Sequence, residues 1–315
     1  MKKKLFLNVL VAVAVLFLSN DKQYAQGIEY PTLSKSQVVL VGDSGKWDYN
    51  KAHTLSVVEA NKDGYKYWGY YGLSYYGGDP ELRKAGLVRS NDLIHWDKYN
   101  GNPIIKSDCR WPTVVLVNSV FYMLYAEYNA NNDSRIVMLT SKDGIHFDSK
   151  VVIVPREDGK QNQNPFIYYN QKDKNFYLVY YNGIERAKEP SNNIWNIKIR
   201  KSKYINELKD AKSKTIMSSR DLIAAPSITF FNNKYYLLIE SRVLGKWDNK
   251  WVTLGYESNK IDGKYKELDN NPPVLSNGDA CAFQYVLDNQ LYIFYSHCLD
   301  LAKWNWELSM VKAIN

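Results

Sequence analysis

Three observations predict an all-β protein built as a five-bladed β-propeller. Runs of β-branched and aromatic residues alternate with short turns along the chain. The pattern occurs five times, in steps of 58, 53, 61 and 56 residues, with first strands that begin near His53, Trp111, Asn164, Ala225 and Cys281. A repeat of this length with four strands in each copy is typical of a propeller blade.

The first copy, residues 52–105, shows the four strands most clearly. HTLSVVEA and YKYWGYYG flank the turn NKDG, AGLVRS is a third run, and WDKYNGNPII closes a fourth. The later copies open with WPTVVLV, NPFIYYN, APSITFF and ACAFQYV, and each continues with a turn and a second apolar run.

The fifth copy has only three runs, so its sheet lacks a fourth strand. We expect the N-terminal segment SKSQVVLVGD, residues 34–43, to supply this strand and close the ring, because an unpaired sheet edge is a liability. A chain that leaves the ring open is the alternative.

The N-terminus predicts export. Residues 1–25 carry MKKK, a 14-residue apolar run and a polar stretch ending in QYA, the pattern of a secretory signal peptide cleaved near Ala25. The apolar run is too short for a membrane anchor. Residues 26–315 are then expected to form a single propeller domain in a periplasmic or secreted protein.

The charge of the expected mature chain is mildly positive. It holds 37 Lys and Arg against 32 Asp and Glu, a net charge of +5. Without a block of basic residues or a nucleic-acid-binding motif, nucleic acid is not an expected partner, whereas an anionic polysaccharide would suit the sign. The sequence has no metal-ligand cluster, P-loop or Gly-rich dinucleotide turn, so no metal or other cofactor is expected.

Three cysteines, Cys109, Cys281 and Cys298, cannot all pair with one another. A hairpin centred on Asn289 and Gln290 would place Cys281 opposite Cys298. In an oxidising compartment we expect these two to form a disulfide, with Cys109 left as a free thiol.

Two short sequence segments resemble those of a known group of proteins. SNDLIHW (90–96), followed by GNPII, and SKDGIHF (141–147) resemble outer-strand phrases of the five-bladed propeller glycoside hydrolases of family 43 and its relatives in families 32, 62, 68 and 117. The resemblance covers about residues 45–315 and implies hydrolysis of a glycosidic bond by two carboxyl groups, one acting as base and one as acid. His95 and His146 occupy the same repeat position in these phrases, so we interpret them as packing residues.

The chain departs from the catalytic pattern that this resemblance implies. His53 stands where the base aspartate is expected, Trp111-Pro112-Thr113 replaces a phrase that usually carries an aspartate, and Ala224 stands where the acid glutamate would be. Three interpretations stay open: carboxylates at new positions, β-elimination on a uronic acid by His53 or a nearby tyrosine with an arginine, or a propeller that only binds sugar.

In an antiparallel blade the first strand begins and the second strand ends at one edge, which forms the mouth of the funnel. The residues expected there are Asp48, His53, Asp108, Arg110, Trp111, Glu127, Asn162, Asn164, Asn182, Arg186, Asp221, Glu240, Arg242, Asp279 and His297.

If the protein is an enzyme, we expect Asp48 or Asp108 to act as base and Glu240 as acid, although aspartates in loops also cap turns. We expect Glu240 to be buried and paired with Arg242, two residues along the same strand face. Trp47 and Trp111 are candidates for stacking on sugar rings. The full set of expected substrate-binding residues is Trp47, His53, Arg110, Trp111, Asn164, Arg186, Arg242 and His297.

Overall fold

The computed structural model describes residues 30–73, 83–131, 133–183, 194–243, 246, 250–268, 273–276 and 278–314. The chain divides into two units, Met1–Thr32 and Leu33–Asn315, and the second holds the five blades. The regular secondary structure of the described residues is strand apart from one short 3-10 helix at Ile205–Lys209, which confirms the predicted all-β class. Within these ranges no helix is long and apolar enough to cross a lipid bilayer.

The strands are β1 (Thr32–Leu33), β2 (Gln37–Leu40), β3 (Ala52–Lys62), β4 (Tyr65–Leu73), β5 (Gly86–Ser90), β6 (Asp97–Lys98), β7 (Arg110–Val117), β8 (Val120–Tyr128), β9 (Ser134–Ser141), β10 (Asp148–Val154), β11 (Gln161–Asn170), β12 (Asn175–Gly183), β13 (Trp195–Ser202), β14 (Lys214–Ser219), β15 (Leu222–Phe231), β16 (Lys234–Arg242), β17 (Val252–Ser258), β18 (Lys266–Glu267), β19 (Asp279–Leu287), β20 (Gln290–Asp300) and β21 (Asn305–Ile314).

Four blades are antiparallel four-stranded meanders in chain order: β3 to β6, β7 to β10, β11 to β14 and β15 to β18. Blade 5 consists of β19, β20 and β21 and is completed from the N-terminus. The first strands of neighbouring blades contact each other all the way round, including β19 against β3. The ring is therefore closed around its five innermost strands.

The N-terminal strand closes the ring as predicted. β2 pairs antiparallel with β21, with Gln37 opposite Met310 and Leu40 opposite Leu308. The Ser34 N–H also donates to the Lys312 carbonyl at 2.8 Å. The alternative of an open ring is wrong, since this pairing removes the unpaired edge of blade 5.

Blades pack on one another through aromatic side chains. Strand β4 is buried on both faces, because each face of a blade is covered by a neighbouring blade. Its large buried side chains are Tyr67, Trp68, Tyr70 and Tyr71. The Trp68 ring stacks on Phe121 of blade 2 with centroids 5.8 Å apart. These three tyrosines and the tryptophan therefore belong to the core.

Every first strand carries a β-bulge at the same repeat position. The bulge residue has a left-handed backbone, and the sheet register shifts around it in each blade. The five residues and their φ values are Thr54 (47°), Trp111 (52°), Asn164 (48°), Ala225 (43°) and Cys281 (50°). A left-handed backbone at a non-glycine residue costs roughly 1–2 kcal/mol. Because it occurs at the same repeat position in all five blades, it is a regular feature of this fold.

The predicted Cys281–Cys298 disulfide is wrong, since all three cysteines are free thiols. The hairpin turn falls on Asp288 and Asn289, one residue earlier than expected, and the bulge at Cys281 shifts the register again. Cys298 consequently donates its N–H to the Gly278 carbonyl, at 3.2 Å, instead of standing opposite Cys281.

The two outer phrases form matching turns. Asp92 accepts the N–H groups of Ile94 and His95 and bonds the His95 ring at 2.6 Å, and Asp143 holds His146 in the same way. The imidazoles are 85% and 86% exposed, so the expectation that they are packing residues is wrong. They stabilise surface turns through an aspartate.

Candidate active site

The central pocket is lined by the first strands of all five blades, and its cavity volume is ≈ 40 Å³. The described lining residues carry no charged side chain; they are Thr54, Leu55, Ser56, Trp111, Pro112, Thr113, Asn164, Pro165, Phe166, Ala225, Pro226, Cys281, Ala282 and Phe283. The rings of Phe166 and Phe283, from blades 3 and 5, lie 5.6 Å apart.

The bulges bring one residue from each blade to this pocket. The half-buried Trp111 ring lies 6.1 Å from Tyr128, and the Asn164 amide and the Cys281 thiol line the same space. An aromatic face beside an amide suits a sugar ring, which has apolar C–H faces and polar hydroxyls. The structure thus places Trp111 and Asn164 where binding was predicted, and their roles in binding stay predictions.

In blade 1 the residue that corresponds to the bulge positions of the other blades lies one position later than predicted. The residue equivalent to Trp111, Asn164 and Ala225 is Thr54, since it carries the bulge, whereas His53 does not line the pocket. His53 is buried edge-on against Trp306, with ring centroids 4.9 Å apart, and its Nδ1 has no partner among the described residues. Burial lowers the pKa of His53 to about 3, so it is neutral at physiological pH.

Glu240 lies in the wall behind Cys281. It is only 8% exposed, and its Oε2 accepts the Cys281 N–H at 3.2 Å and the Cys281 S–H at 3.1 Å. Burial raises the pKa of Glu240 to about 6, and the two bonds from Cys281 oppose the shift. On β15 the residue opposite Glu240 is Ala224, the position where the resemblance would place an acid.

The predicted pairing of Glu240 with Arg242 is wrong. The carboxylate is bonded to Cys281, and the Arg242 guanidinium lies over the Trp251 ring, 5.8 Å from its centroid. Burial of Glu240 was predicted correctly; its partner was missed because the two residues lie on different blades, 41 positions apart.

Blade 5 places a second carboxyl group near Glu240. Asp279 begins β19, and its Oδ1 lies 2.6 Å from the His297 Nδ1. Burial raises the pKa of Asp279 against the effect of this bond, and the same bond raises the pKa of His297. Glu307 is opposite His297 on β21, and burial raises its pKa as well.

Asp48 does not reach the pocket. Its side chain is 1% exposed, and its Oδ2 accepts the Tyr71 hydroxyl at 2.9 Å and bonds the Lys98 ammonium at 2.7 Å. Lys98 belongs to β6, the outermost strand of blade 1. Trp47 packs against Tyr71 in the same place, with centroids 5.5 Å apart. Both residues serve the outer part of blade 1.

Asp108 lies between two arginines at the rim of blade 2. Its Oδ1 is 3.6 Å from Arg83 and 3.4 Å from Arg110, and its Oδ2 accepts the Tyr128 N–H at 2.9 Å. The Arg110 guanidinium lies 3.9 Å from the Tyr128 ring centre, and Tyr128 contacts Trp111. Burial is the main reason that the pKa of Arg110 is lowered.

Two further rim carboxylates are held by cations. Glu127 bonds Arg135 at 2.7 Å and also bonds Lys150; burial alone would raise its pKa, but these two bonds outweigh burial and lower it. Glu157 bonds Lys160 at 2.6 Å and lies near Lys198, with the same net lowering of its pKa.

Among the described residues, no group of three or more His, Cys, Asp or Glu side chains could hold a metal ion. Arg186, expected at the mouth, lies outside the described residues.

Comparison with known proteins gives likeness of structure only. No protein-family model and no curated protein matches the sequence. A thermostable family-43 glycoside hydrolase superposes with a TM-score of 0.62 at 16% identity, covering 82% of this chain and 88% of that one. An endo-arabinase from Bacteroides thetaiotaomicron gives 0.63 at 15% identity, covering 84% and 94%.

A family-62 α-L-arabinofuranosidase domain from Coprinopsis cinerea gives a TM-score of 0.65 at 12% identity, covering 91% of this chain and 99% of that one. These likenesses confirm the predicted resemblance in architecture. The chain therefore has the five-bladed propeller fold seen in glycoside hydrolases of families 43 and 62.

Proposed function

We propose that the protein binds a saccharide in the central pocket and hydrolyses a glycosidic bond there, with Glu240 as the general acid. One observation carries the proposal: a buried carboxyl group with a pKa of about 6 is bonded to the pocket-lining Cys281. The fold shared with glycoside hydrolases supports the reaction class.

The position of Glu240 accounts for the missing family acid. Residues directly opposite in an antiparallel pair project to the same face of the sheet, about 4.5–5.5 Å apart at Cβ. Glu240 is opposite Ala224. A carboxyl group on the second strand can therefore replace one on the first strand and serve the same face.

The raised pKa suits an acid. A glutamic acid with its ordinary pKa of about 4.3 would be ionised in mildly acidic solution. With a pKa of about 6, the Glu240 carboxyl group keeps its proton there and can give it to the leaving oxygen.

We also propose export of the protein, which is supported by the basic and apolar residues of the 1–25 segment. Sequencing the N-terminus of protein recovered from the cell exterior or periplasm tests this; a first residue near Gln26 is expected.

A second candidate function is sugar binding without catalysis. The observation that favours it is the absence of charged side chains among the described residues that line the pocket. A neutral pocket can hold a sugar by stacking and hydrogen bonds without cleaving it.

The test is to incubate the purified protein with arabino-, xylo- and galacto-oligosaccharides and with uronic-acid oligosaccharides from pH 4 to 8. Release of reducing ends, with a rate that falls above pH about 6, is expected from the Glu240 pKa. Binding measured by calorimetry without any product would instead establish the binding function. Products that absorb in the ultraviolet would show β-elimination, the lyase alternative.

A further inference from the structure

The proposed hydrolysis needs a second group that takes a proton from water. A bond between a carboxylate and an imidazole stands at the beginning of blade 5. Asp279 is the first residue of β19, and its carboxylate is 2.6 Å from the His297 ring. The Asp279 side chain is 11% exposed and that of His297 is 32% exposed, so the pair lies at the edge of the protein interior.

Asp279 is close to the proposed acid. It precedes Cys281 by two residues, and Cys281 donates both its N–H and its S–H to Glu240. Two residues of chain span at most about 7 Å. The Cα atom of Asp279 is therefore within about 7 Å of the Cα atom of Cys281, the pocket-lining residue that bonds Glu240.

The other predicted bases are held by cations. Asp48 is bonded to Lys98 on the outer strand of blade 1, and Asp108 faces two arginines. Asp48 is thereby held in the outer part of blade 1, away from the pocket, and Asp108 is held at the rim of blade 2. Asp279 instead faces an imidazole, and it accepts a backbone N–H from Ser276.

The surroundings of the pair are largely acidic or neutral. Glu307 is opposite His297 on β21, Tyr295 precedes it on β20, and Thr253 of β17 donates to the Asp279 carbonyl. Glu240 approaches from blade 4 through Cys281, and Arg242 acts on the neighbouring Cys298. Burial raises the pKa of Asp279, and its bond to His297 opposes this shift.

We propose that Asp279 is the general base of the proposed hydrolysis and that His297 is a positioning residue that holds it; the inference rests on the function proposed for the central pocket. His297 Nδ1–H donates to Oδ1 of Asp279, and the other carboxyl oxygen, Oδ2, takes the proton in this step. A water molecule gives this proton to Oδ2 while its oxygen forms a bond to the anomeric carbon. The bond from that carbon to the leaving oxygen breaks, and the leaving oxygen takes the proton of Glu240. Both carboxyl groups then exchange a proton with solvent.

The experiment separates base from acid with activated substrates. The probes are the 4-nitrophenyl glycosides α-L-arabinofuranoside, β-D-xylopyranoside and β-D-galactopyranoside. Nitrophenolate leaves without a proton, so Glu240→Gln is expected to keep most of its activity on the active probe. Asp279→Ala is expected to lower kcat by about 10²- to 10⁴-fold, the scale of a positioned acid or base.

Azide supplies the decisive measurement. It can replace the activated water in Asp279→Ala and should restore turnover, with a glycosyl azide of inverted anomeric configuration as the product seen by NMR. A base role for Asp108 would instead give rescue in Asp108→Ala and none in Asp279→Ala, which overturns the proposal. A wild-type protein inactive on every probe and on the oligosaccharides would refute the function itself, and the base assignment with it.

Two conservative variants guard against loss of the fold. Asp279→Asn is nearly the same shape and keeps an acceptor for His297, so a folded Asp279→Asn that retains wild-type kcat also overturns the proposal. His297→Gln removes a bond that lowers the pKa of Asp279, so the acidic limb of kcat/KM should move to higher pH. An unmoved limb would show that His297 does not hold the base.

Discussion

Two sectors of the propeller rim place carboxyl groups in opposite electrostatic settings. In blades 2 and 3, Glu127 and Glu157 each face two cations, and their pKa values are lowered. In blades 4 and 5, Glu240, Asp279 and Glu307 are buried, and their pKa values are raised. Burial thus raises carboxyl pKa values at the rim of blades 4 and 5, and that of Glu240 reaches about 6.

The difference arises from the strands that face each group. Glu127 on β8 is opposite Arg135 on β9 and is also reached by Lys150 on β10. Glu240 occupies a similar place on β16, but it is opposite Thr253 on β17 and bonds Cys281. Two cations on the neighbouring strands hold Glu127 in a structural ion pair, whereas Glu240 has threonine and cysteine in contact with it and remains a candidate acid.

The largest expected effect distinguishes these two glutamates by activity. Glu240→Gln keeps the size of the side chain but removes the proton, so turnover of an oligosaccharide should fall by about two to four orders of magnitude. Glu127→Gln should change turnover by less than about tenfold, or 1.4 kcal/mol of barrier, since Glu127 is already held by Arg135 and Lys150. Initial rates of reducing-end release measure both variants. Equal losses in both would remove the functional meaning of the comparison.

The second effect concerns stability in blade 2. Glu127→Gln leaves Arg135 and Lys150 without their carboxylate, and it should lower the free energy of unfolding by about 1.5–3 kcal/mol at pH 7, the range for hydrogen bonds to charged groups. Arg135 and Lys150 partly reach solvent, so the lower end is expected. Urea unfolding followed by tryptophan fluorescence gives the value. A variant as stable as the wild type would mean that these ion pairs are not structural.

The fold could be predicted from sequence because its signals are local and repeated. Strand runs recur at similar steps, and proline follows the bulge residue in blades 2, 3 and 4, as at Trp111-Pro112. In blade 1 Leu55 takes the place of that proline, so the sequence does not show which residue carries the bulge. The predicted equivalent position was therefore His53 instead of Thr54.

The site was harder to predict because its bonds connect distant parts of the chain. Asp48 is bonded to Lys98, 50 positions away, and Glu240 to Cys281, 41 positions away. No local sequence pattern predicts which side chains of neighbouring blades meet. The alternation of residues along a single strand does predict that Glu240 is buried. The left-handed backbone at Cys281 is likewise a tertiary effect, since nothing in the sequence there favours it.

His53 makes the stability of the folded protein fall as the pH is lowered. The pKa of His53 is about 3 in the folded protein and about 6.5 when unfolded, so acid favours the unfolded chain. The stability that neutral His53 contributes is complete above pH about 6.5 and declines below it, by about 2 kcal/mol at pH 5. His53→Phe keeps an aromatic ring against Trp306 and should lose about 2 kcal/mol less than the wild type between pH 7.5 and 5. Urea titrations at both pH values test this, and parallel pH dependences would contradict it.

The smallest effect reverses the sign seen for Glu127. The folded pKa of Glu240, about 6, is above its unfolded value, so the stability that protonated Glu240 provides is complete below pH about 4.5 and is lost as pH rises through 6. Above this window the folded protein holds an ionised carboxylate at a buried site, which costs about 1–2 kcal/mol. Glu240→Gln removes that charge and keeps an oxygen to accept the Cys281 N–H, so it should raise the free energy of unfolding by about 1–2 kcal/mol at pH 7.5 and leave it unchanged at pH 4. Unfolding in urea at the two pH values gives the comparison. A Glu240→Gln variant that is less stable at pH 7.5 would show that the carboxylate is stabilised in the folded protein, as Glu127 is, and the contrast between the two sectors would fail.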